Sequence, residues 1–455
     1  MQKWISLGLV GLALLGFVIE RRLNVYIPRQ GGVTRVRVLV AAWQYSEFQD
    51  PDGDLERAVR AFEERHPDID IDLRIMPEGN EITLMLPWRA GSTPFDLLLL
   101  INNMSIVQNV EGGFLTPLED QLEEELSAGL LDEFLPGYLT GCRLPDARTG
   151  EQHLYGLPFM GEIHALNYRK DLLAAGGLDE SDLPDTWEDF ARLSRLLRDP
   201  EQQQYGMTFD LSMNFFTQNA YIPMLRSLAG DIVDENSRLD VSSPEAAETF
   251  RTFKDWYQEG LTPAGALTPY QAADDFRAGI AVLFPCWQSR GFWAIKGMEN
   301  GEEHIGIGPC PGSEEVGSLL AHYVGIIPES SPVPREAARV LVEVFCFDLQ
   351  PGVAKAGKMS TIRYLYDRQD PNYRPGEEPP QIQALHALVD PSYRAPDWMV
   401  SLRPTVDLGY CVPDPATWPR VSEIVGIEFQ KFLHEDISAE EALGRAQRQI
   451  DRLYE

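Results

Sequence analysis

Gly352-Val353-Ala354-Lys355-Ala356-Gly357-Lys358 has the GxxxxGK spacing that wraps backbone amides around nucleotide phosphates. Met359 then stands where a magnesium-binding Ser or Thr belongs, and the stretch follows a helical pattern instead of a strand. We read it as a helix end carrying exposed lysines. Gly306 and Gly308 open like a dinucleotide loop, but Pro309 and Pro311 flank Cys310 and remove amides that a pyrophosphate needs. Asp50, Asp52 and Asp54 begin like a calcium loop, yet Leu55 and Ala61 occupy the positions of its glycine and its last glutamate. Solvated carboxylates in a turn are the simpler reading. Neither HExxH nor GxSxG occurs, and the 7 histidines are scattered singly. The five cysteines, Cys142, Cys286, Cys310, Cys346 and Cys411, form no CxxC pair. They suit buried small hydrophobes; one disulfide stays open, and the odd count leaves a thiol over. No cofactor, no metal and no catalytic role are expected.

The chain has 455 residues, enough for about three domains or two large ones, and an ordinary 44% of apolar residues. Lys plus Arg number 39 against 70 Asp plus Glu, a net charge of -31. Such a surface repels phosphate backbones, so nucleic acid is excluded as a partner. The acidic stretch from Glu111 to Glu133 reads as a solvated helix face. Trp4 to Ile19 is an uncharged apolar run after Lys3, about 24 Å long as a helix. Glu20, Arg21 and Arg22 follow it instead of an A-x-A-like cleavage site. Residues 1–22 therefore read as a signal or, preferably, an uncleaved signal-anchor helix in the membrane. Residues 23–34 read as a linker, and the remainder as extracytoplasmic, in the periplasm or at the cell surface.

Strands and helices alternate beyond the linker. Val36 to Ala42 is an apolar run broken by Arg37, as in a buried parallel strand. Leu55, Val59 and Phe62 mark one face of a helix that stops at Pro67. Ile69, Ile71, Leu73 and Ile75 alternate with polar residues, and Phe95 to Ile101 is again continuous. This βαβ opening predicts an α/β fold with an open, mostly parallel sheet. Thr186 with Asp189, Ser243 with Pro244, and Ser438 with Glu441 announce helix starts. Gly, Pro and Asp cluster at 366–380 and 404–419, which predicts surface loops.

A series of short segments then falls in a familiar order. It runs through Ala61-Phe62-Glu63-Glu64-Arg65-His66-Pro67-Asp68-Ile69, Ala90-Gly91-Ser92-Thr93-Pro94-Phe95-Asp96 and Gly113-Phe114-Leu115-Thr116-Pro117-Leu118. Tyr155-Gly156-Leu157-Pro158 leads into Ala165-Leu166-Asn167-Tyr168-Arg169-Lys170-Asp171-Leu172, and Pro184-Asp185-Thr186-Trp187-Glu188-Asp189-Phe190 follows. Ser243-Pro244-Glu245-Ala246 and Phe276-Arg277-Ala278-Gly279 complete the series. From about residue 35 to 455 the chain resembles the extracellular solute-binding proteins of family 1, the sugar-capturing components of ABC importers. Arg169 in place of the usual asparagine, and Cys286 in place of a usual proline, depart from the pattern.

The resemblance implies a two-lobed, periplasmic-binding-protein-like fold of type II that closes like jaws. Lobe 1 would hold residues 35–161 with about 311–345, and lobe 2 residues 162–308 with about 352–455. Hinges are expected near 161–165, 306–311 and 345–352. The resemblance also implies a sugar or oligosaccharide in the cleft, bound by aromatic faces and hydrogen-bonding side chains, and delivered to the transmembrane subunits of an ABC permease. Strand-end and hinge positions supply Trp43, Tyr45, Asn102, Asn103, Phe159 and Glu162 as ligand-binding candidates. Trp287, Tyr323 and Arg363 lie where the family places ligand contacts, and Glu162 matches a sugar-binding glutamate. The alternatives are a membrane-tethered sensor or scaffold using the same clamp, or a carbohydrate-active enzyme, which would need a second cleft carboxylate beside Glu162.

Overall fold

The computed structural model describes residues 29–49, 53–76, 88–90, 92, 94–103, 105–213, 215–234, 238–263, 268–374, 376–412 and 416–455. The apolar run Trp4–Ile19, residues 23–28 of the linker and two of the three calcium-like aspartates lie outside them; residues 29–34 of the linker are described, with Arg29–Gln30 and Val33–Thr34 in strands. No described helix is long and apolar enough to cross a membrane.

The principal strands are β1 (Val33–Ala41), β2 (Ile69–Met76), β3 (Leu97–Asn102), β4 (Gly156–Arg169), β5 (Tyr205–Met207), β6 (Ala281–Trp287), β7 (Ile305–Pro309) and β8 (Leu320–Ile326). With a short strand at Arg29–Gln30 they form one sheet, in the order Arg29–Gln30, β1, β3, β8, β4, β6, β5. β2 joins at β1 and β7 at β4. The expected parallel opening is there: β1 runs parallel to both β2 and β3. Elsewhere the sheet is mixed, since β8 is antiparallel to β3 and β4, and β4 is antiparallel to β6 and β7. The departure comes from β4, whose 14 residues pass from one half of the sheet to the other and impose their direction on both.

Val36, Val38 and Val40 are buried in β1. Arg37, which interrupts that run, is itself buried and grips Asp96 through Nε (2.9 Å) and Nη2 (3.0 Å). Helices α1 (Ala42–Gln49) and α2 (Asp54–Arg65) follow β1. The expected caps form: Thr186 accepts from the Asp189 amide at the start of α3 (Trp187–Leu197), and Ser243 from Ala246 at the start of α4 (Pro244–Gln258). Four cysteines are buried and one half-buried, and all five are free thiols.

Apolar side chains collect in two large cores and one small one. The first takes Val36 through Ala165, Ile307, and Leu320 through Val406; the second takes Leu166 through Leu261 with Val282, Leu283, Cys310 and Leu319, then Val412 through Ile450. The small one lies between, from Ala272 to Ile305. Phe345, Phe347, Leu349 and Val353, in one of the expected hinge stretches, belong to the first core. At 306–311, β7 pairs with the Ala165–Arg169 end of β4, and Ile307 joins the first core. The Tyr410 N–H bonds the Ser318 carbonyl, and its own carbonyl accepts from Leu320. The helical stretch after β8 folds back over its own sheet instead of leaving it, as an apolar run such as Leu341–Phe347 requires. Residues 404–407, expected in a loop, end a helix, Asp397–Asp407, whose Thr405 and Val406 are buried.

Candidate functional site

β1 ends at Ala41, and α1 (Ala42–Gln49) begins at once. Buried Gln44 accepts from the Ala41 amide and donates to the Leu99 carbonyl, both at 3.0 Å, which fixes α1 over the ends of β1 and β3. Trp43 and Glu47, four residues apart, share one face of α1. The Trp43 ring meets Tyr323 of β8 edge-on, with centroids 5.2 Å apart. An offset perpendicular pair of this kind is a favoured aromatic geometry.

Lys358 stands at the centre of this wall. Gly357, on one side of it, adopts φ 76°, and Met359, on the other, exchanges both backbone hydrogen bonds with Gly161 at 2.9 Å. That bridge sets Lys358 beside Glu162. Lys358 Nζ is 2.6 Å from Glu162 Oε1, 3.8 Å from Glu47 Oε1 and 5.6 Å from the centre of the Trp43 ring. Lys358 is 7% exposed, so burial works against its charge; Glu162 and Glu47 nonetheless hold its pKa above the ordinary lysine value. Burial raises the Glu47 pKa, with Lys358 opposing. Burial, seconded by Glu162, pushes Tyr323 up to about 12. The second oxygens of Glu47 and Glu162 are buried and accept no hydrogen bond.

The facing wall belongs to the second lobe. Trp287 closes β6 and directly precedes α5 (Gln288–Lys296). Its Nε1–H donates to Asn219 Oδ1 at 3.0 Å, and its ring packs edge-on against His164, centroids 6.0 Å apart. Asn219 also donates to Asp210 at 3.0 Å and accepts from His164 Nε2 through its carbonyl at 2.8 Å. Asn219 thereby sets the positions of Trp287, Asp210 and His164 together. Burial raises Asp210 to about 6 and lowers His164 to about 4. His164 lies two residues beyond Glu162 on β4 and so projects to the same side. Gln288 ties the walls together: its Oε1 accepts from the Ile163 amide at 2.7 Å, and its Nε2 donates to the Gly357 carbonyl at 3.3 Å.

Of the candidates drawn from the sequence, Trp43, Glu162 and Tyr323 come together, and Trp287 joins them through His164. Asn102 lies opposite Tyr323 in the ladder, but its Oδ1 accepts from the Ser105 amide and hydroxyl. Asn103 is buried and exchanges hydrogen bonds with the His322 backbone. Tyr45 donates to Glu56 at 2.5 Å, beside the group instead of within it. Phe159 is fully buried against Phe345, at the irregularity where β4 slips against β8 between Pro158 and Met160. Arg363 is bound instead to Asp367 and to the Asp132 carbonyl.

The sequence reading missed Lys358, Glu47 and Asn219. Lys358 is not an exposed lysine at a helix end. Its buried position depends on a backbone bridge to Gly161, about 200 residues earlier in the chain. Glu47 had a detectable signal, since it falls one helical turn after Trp43. It also gives Glu162 the carboxylate neighbour that the sequence did not reveal, with the Lys358 ammonium between the two. Together the walls offer ring faces, two bare carboxylate oxygens and a cation, a combination that receives hydroxyl donors along an apolar ring.

Three comparisons bear on this geometry. Residues 45–345 match the family model for bacterial extracellular solute-binding proteins. A binding protein of Brucella abortus is 24% identical over 274 residues, 60% of this chain and 59% of its own length. The Pseudomonas aeruginosa mannitol-binding protein is 30% identical over 156 residues, 34% of this chain and 33% of its own. The chain therefore spans less than two thirds of these relatives. Maltose-bound MalE3 of T. maritima has the same fold, with a TM-score of 0.69 at 21% identity over 92% of this chain and 99% of that one. The family match spans about two thirds of the chain, and the chain belongs to the bacterial extracellular solute-binding proteins.

Proposed function

We propose that this protein is the extracytoplasmic substrate-binding component of an ABC importer. It captures a sugar or oligosaccharide between its lobes and presents it to a membrane permease. The observation that carries the reading is the first-lobe wall. Two buried carboxylate oxygens without donors, on Glu47 and Glu162, lie beside the Trp43–Tyr323 pair. Buried acceptors left bare cost free energy that a ligand hydroxyl restores. An apolar sugar face stacks on the indole while its hydroxyls donate to the carboxylates. Trp287, held by Asn219, supplies a ring face from the other lobe. Ligand that bridges both walls shifts the open–closed equilibrium by its difference in affinity for the two states. The likeness to proteins named for mannitol and maltose supports the same ligand class.

A thermal-shift screen of the full chain against mono- and oligosaccharides tests this. Specific ligands raise the melting temperature by mass action, and E162Q and W43A weaken the shift. No shift with any saccharide, or full shifts in both variants, would overturn the reading.

A further inference from the structure

Among the charged groups at the lobe junction, Arg290 is anomalous. Lys358 contacts two carboxylates, and Glu162 and Glu47 share Lys358. Asp210 is occupied as well, with Oδ1 accepting from the Ser212 amide and hydroxyl and Oδ2 from Asn219. Arg290, on the first turn of α5, has neither a hydrogen bond nor an ion pair among the described residues, and its Nε is buried with no partner. Its guanidinium carbon lies 4.9 Å from the ring centre of Tyr270, which is 64% exposed. Arg290 stands three residues after Trp287 and two after Gln288, which ties the walls together, and it is close enough to Tyr323, Asp210 and Cys286 to act on them electrostatically.

A partly buried cation with no carboxylate in contact is costly. The cost is conspicuous in a chain with 70 acidic residues. The first turn of α5 contains no acidic residue either, so the helix end adds to the positive potential instead of relieving it. A guanidinium fixed against a ring presents a planar fork that fits a carboxylate or phosphate oxyanion in two parallel bonds.

We propose that Arg290 receives an oxyanion on the ligand, so that the protein selects an acidic sugar, a uronate or sugar phosphate, over its neutral parent. This rests on the carbohydrate reading above and adds an orientation: hydroxyls face Glu162 and Glu47, and the acid faces Arg290 and Tyr270.

The test measures binding of matched pairs to the full chain by calorimetry: hexoses and disaccharides, each beside its uronate, its uncharged uronate methyl ester and its phosphate. At least one acid binds about tenfold or more tightly than its neutral parent and its ester, and raised salt narrows the gap. The better of uronate and phosphate identifies which oxyanion the fork holds. R290Q brings the acid-to-neutral ratio to about one, and R290K keeps part of it. The ligand-free melting temperature of each variant reports its fold, and the wild-type pairs alone decide the matter if R290Q is unstable. Acids that bind no better than their neutral parents overturn the proposal and leave the carbohydrate reading standing. An unchanged ratio in R290Q, with a preference in the wild type, overturns the role of Arg290. Absence of binding by every sugar, acidic or neutral, overturns both.

Discussion

Replacing Lys358 by methionine removes the ammonium between Glu162 and Glu47 while nearly keeping its volume. The side chains of Lys358 and Glu162 are 9% and 13% exposed and 2.6 Å apart, so water screens the pair weakly. Removing one partner of such a pair costs about 3 to 5 kcal/mol, because the other charge stays buried and uncompensated. The loss depends on pH in a definite direction. Without Lys358, burial and the Glu162 charge raise the folded-state pKa of Glu47 further above its unfolded value. Stability of that kind is complete below the unfolded pKa and is lost as pH rises through the folded one. The K358M deficit is therefore largest near pH 8 and shrinks toward pH 4.5. Urea unfolding of wild type, K358M, E162Q and the double variant at both pH values measures it. The double variant should recover at least about 1 kcal/mol relative to additivity, since the two groups are in direct contact. A K358M loss below about 1 kcal/mol that is equal at both pH values would refute the reasoning. It would mean that water already compensates the carboxylates.

Other perturbations separate the remaining contributions. Asp96 is fully buried and receives Arg37 through two side-chain bonds, so D96A should cost about 3 to 5 kcal/mol in chemical denaturation; a loss under 1 kcal/mol would contradict the pairing. Burial holds His164 neutral down to about pH 4. With its folded pKa depressed, its contribution is present above the unfolded value and is lost as pH falls from about 6.5 toward 4, by about 2 kcal/mol at pH 5. The stability gap between wild type and H164Q should narrow by that amount between pH 7 and pH 5, and a constant gap would count against a buried neutral imidazole. A Cβ on Gly206 would stand 1.9 Å from the Ser194 carbonyl oxygen, so G206A should unfold at clearly lower urea than wild type, whereas G150A, where nothing lies within 4 Å, should lose no more than the strain of its positive φ.

Local signals carried most of the fold that could be read from the sequence. The Val36–Ala41 run, the alternation from Ile69 and the Thr186, Ser243 and Ser438 caps concern residues within one turn or one strand of each other. They were legible for that reason. The division between the cores was not. Leu341–Phe347 is apolar enough to belong to either core, and only the packing in three dimensions says which. The site was half legible. Strand ends and motif positions pointed to Trp43, Glu162, Trp287 and Tyr323. Lys358 and Asn219 depend on partners far away in the chain, and no spacing rule reports such pairs.

The long strand β4 unites roles that many receptors divide. Glu162 and His164 sit on the same stretch of backbone that passes from one lobe to the other, with Met359 clipped to Gly161 beside them. Whatever pulls on Glu162 therefore pulls on the axle itself, and no intermediate lever has to relay the motion. A reporter dye placed near that axle, away from the contact side chains, would register occupancy directly, which makes this chain a natural starting frame for a reagentless sensor.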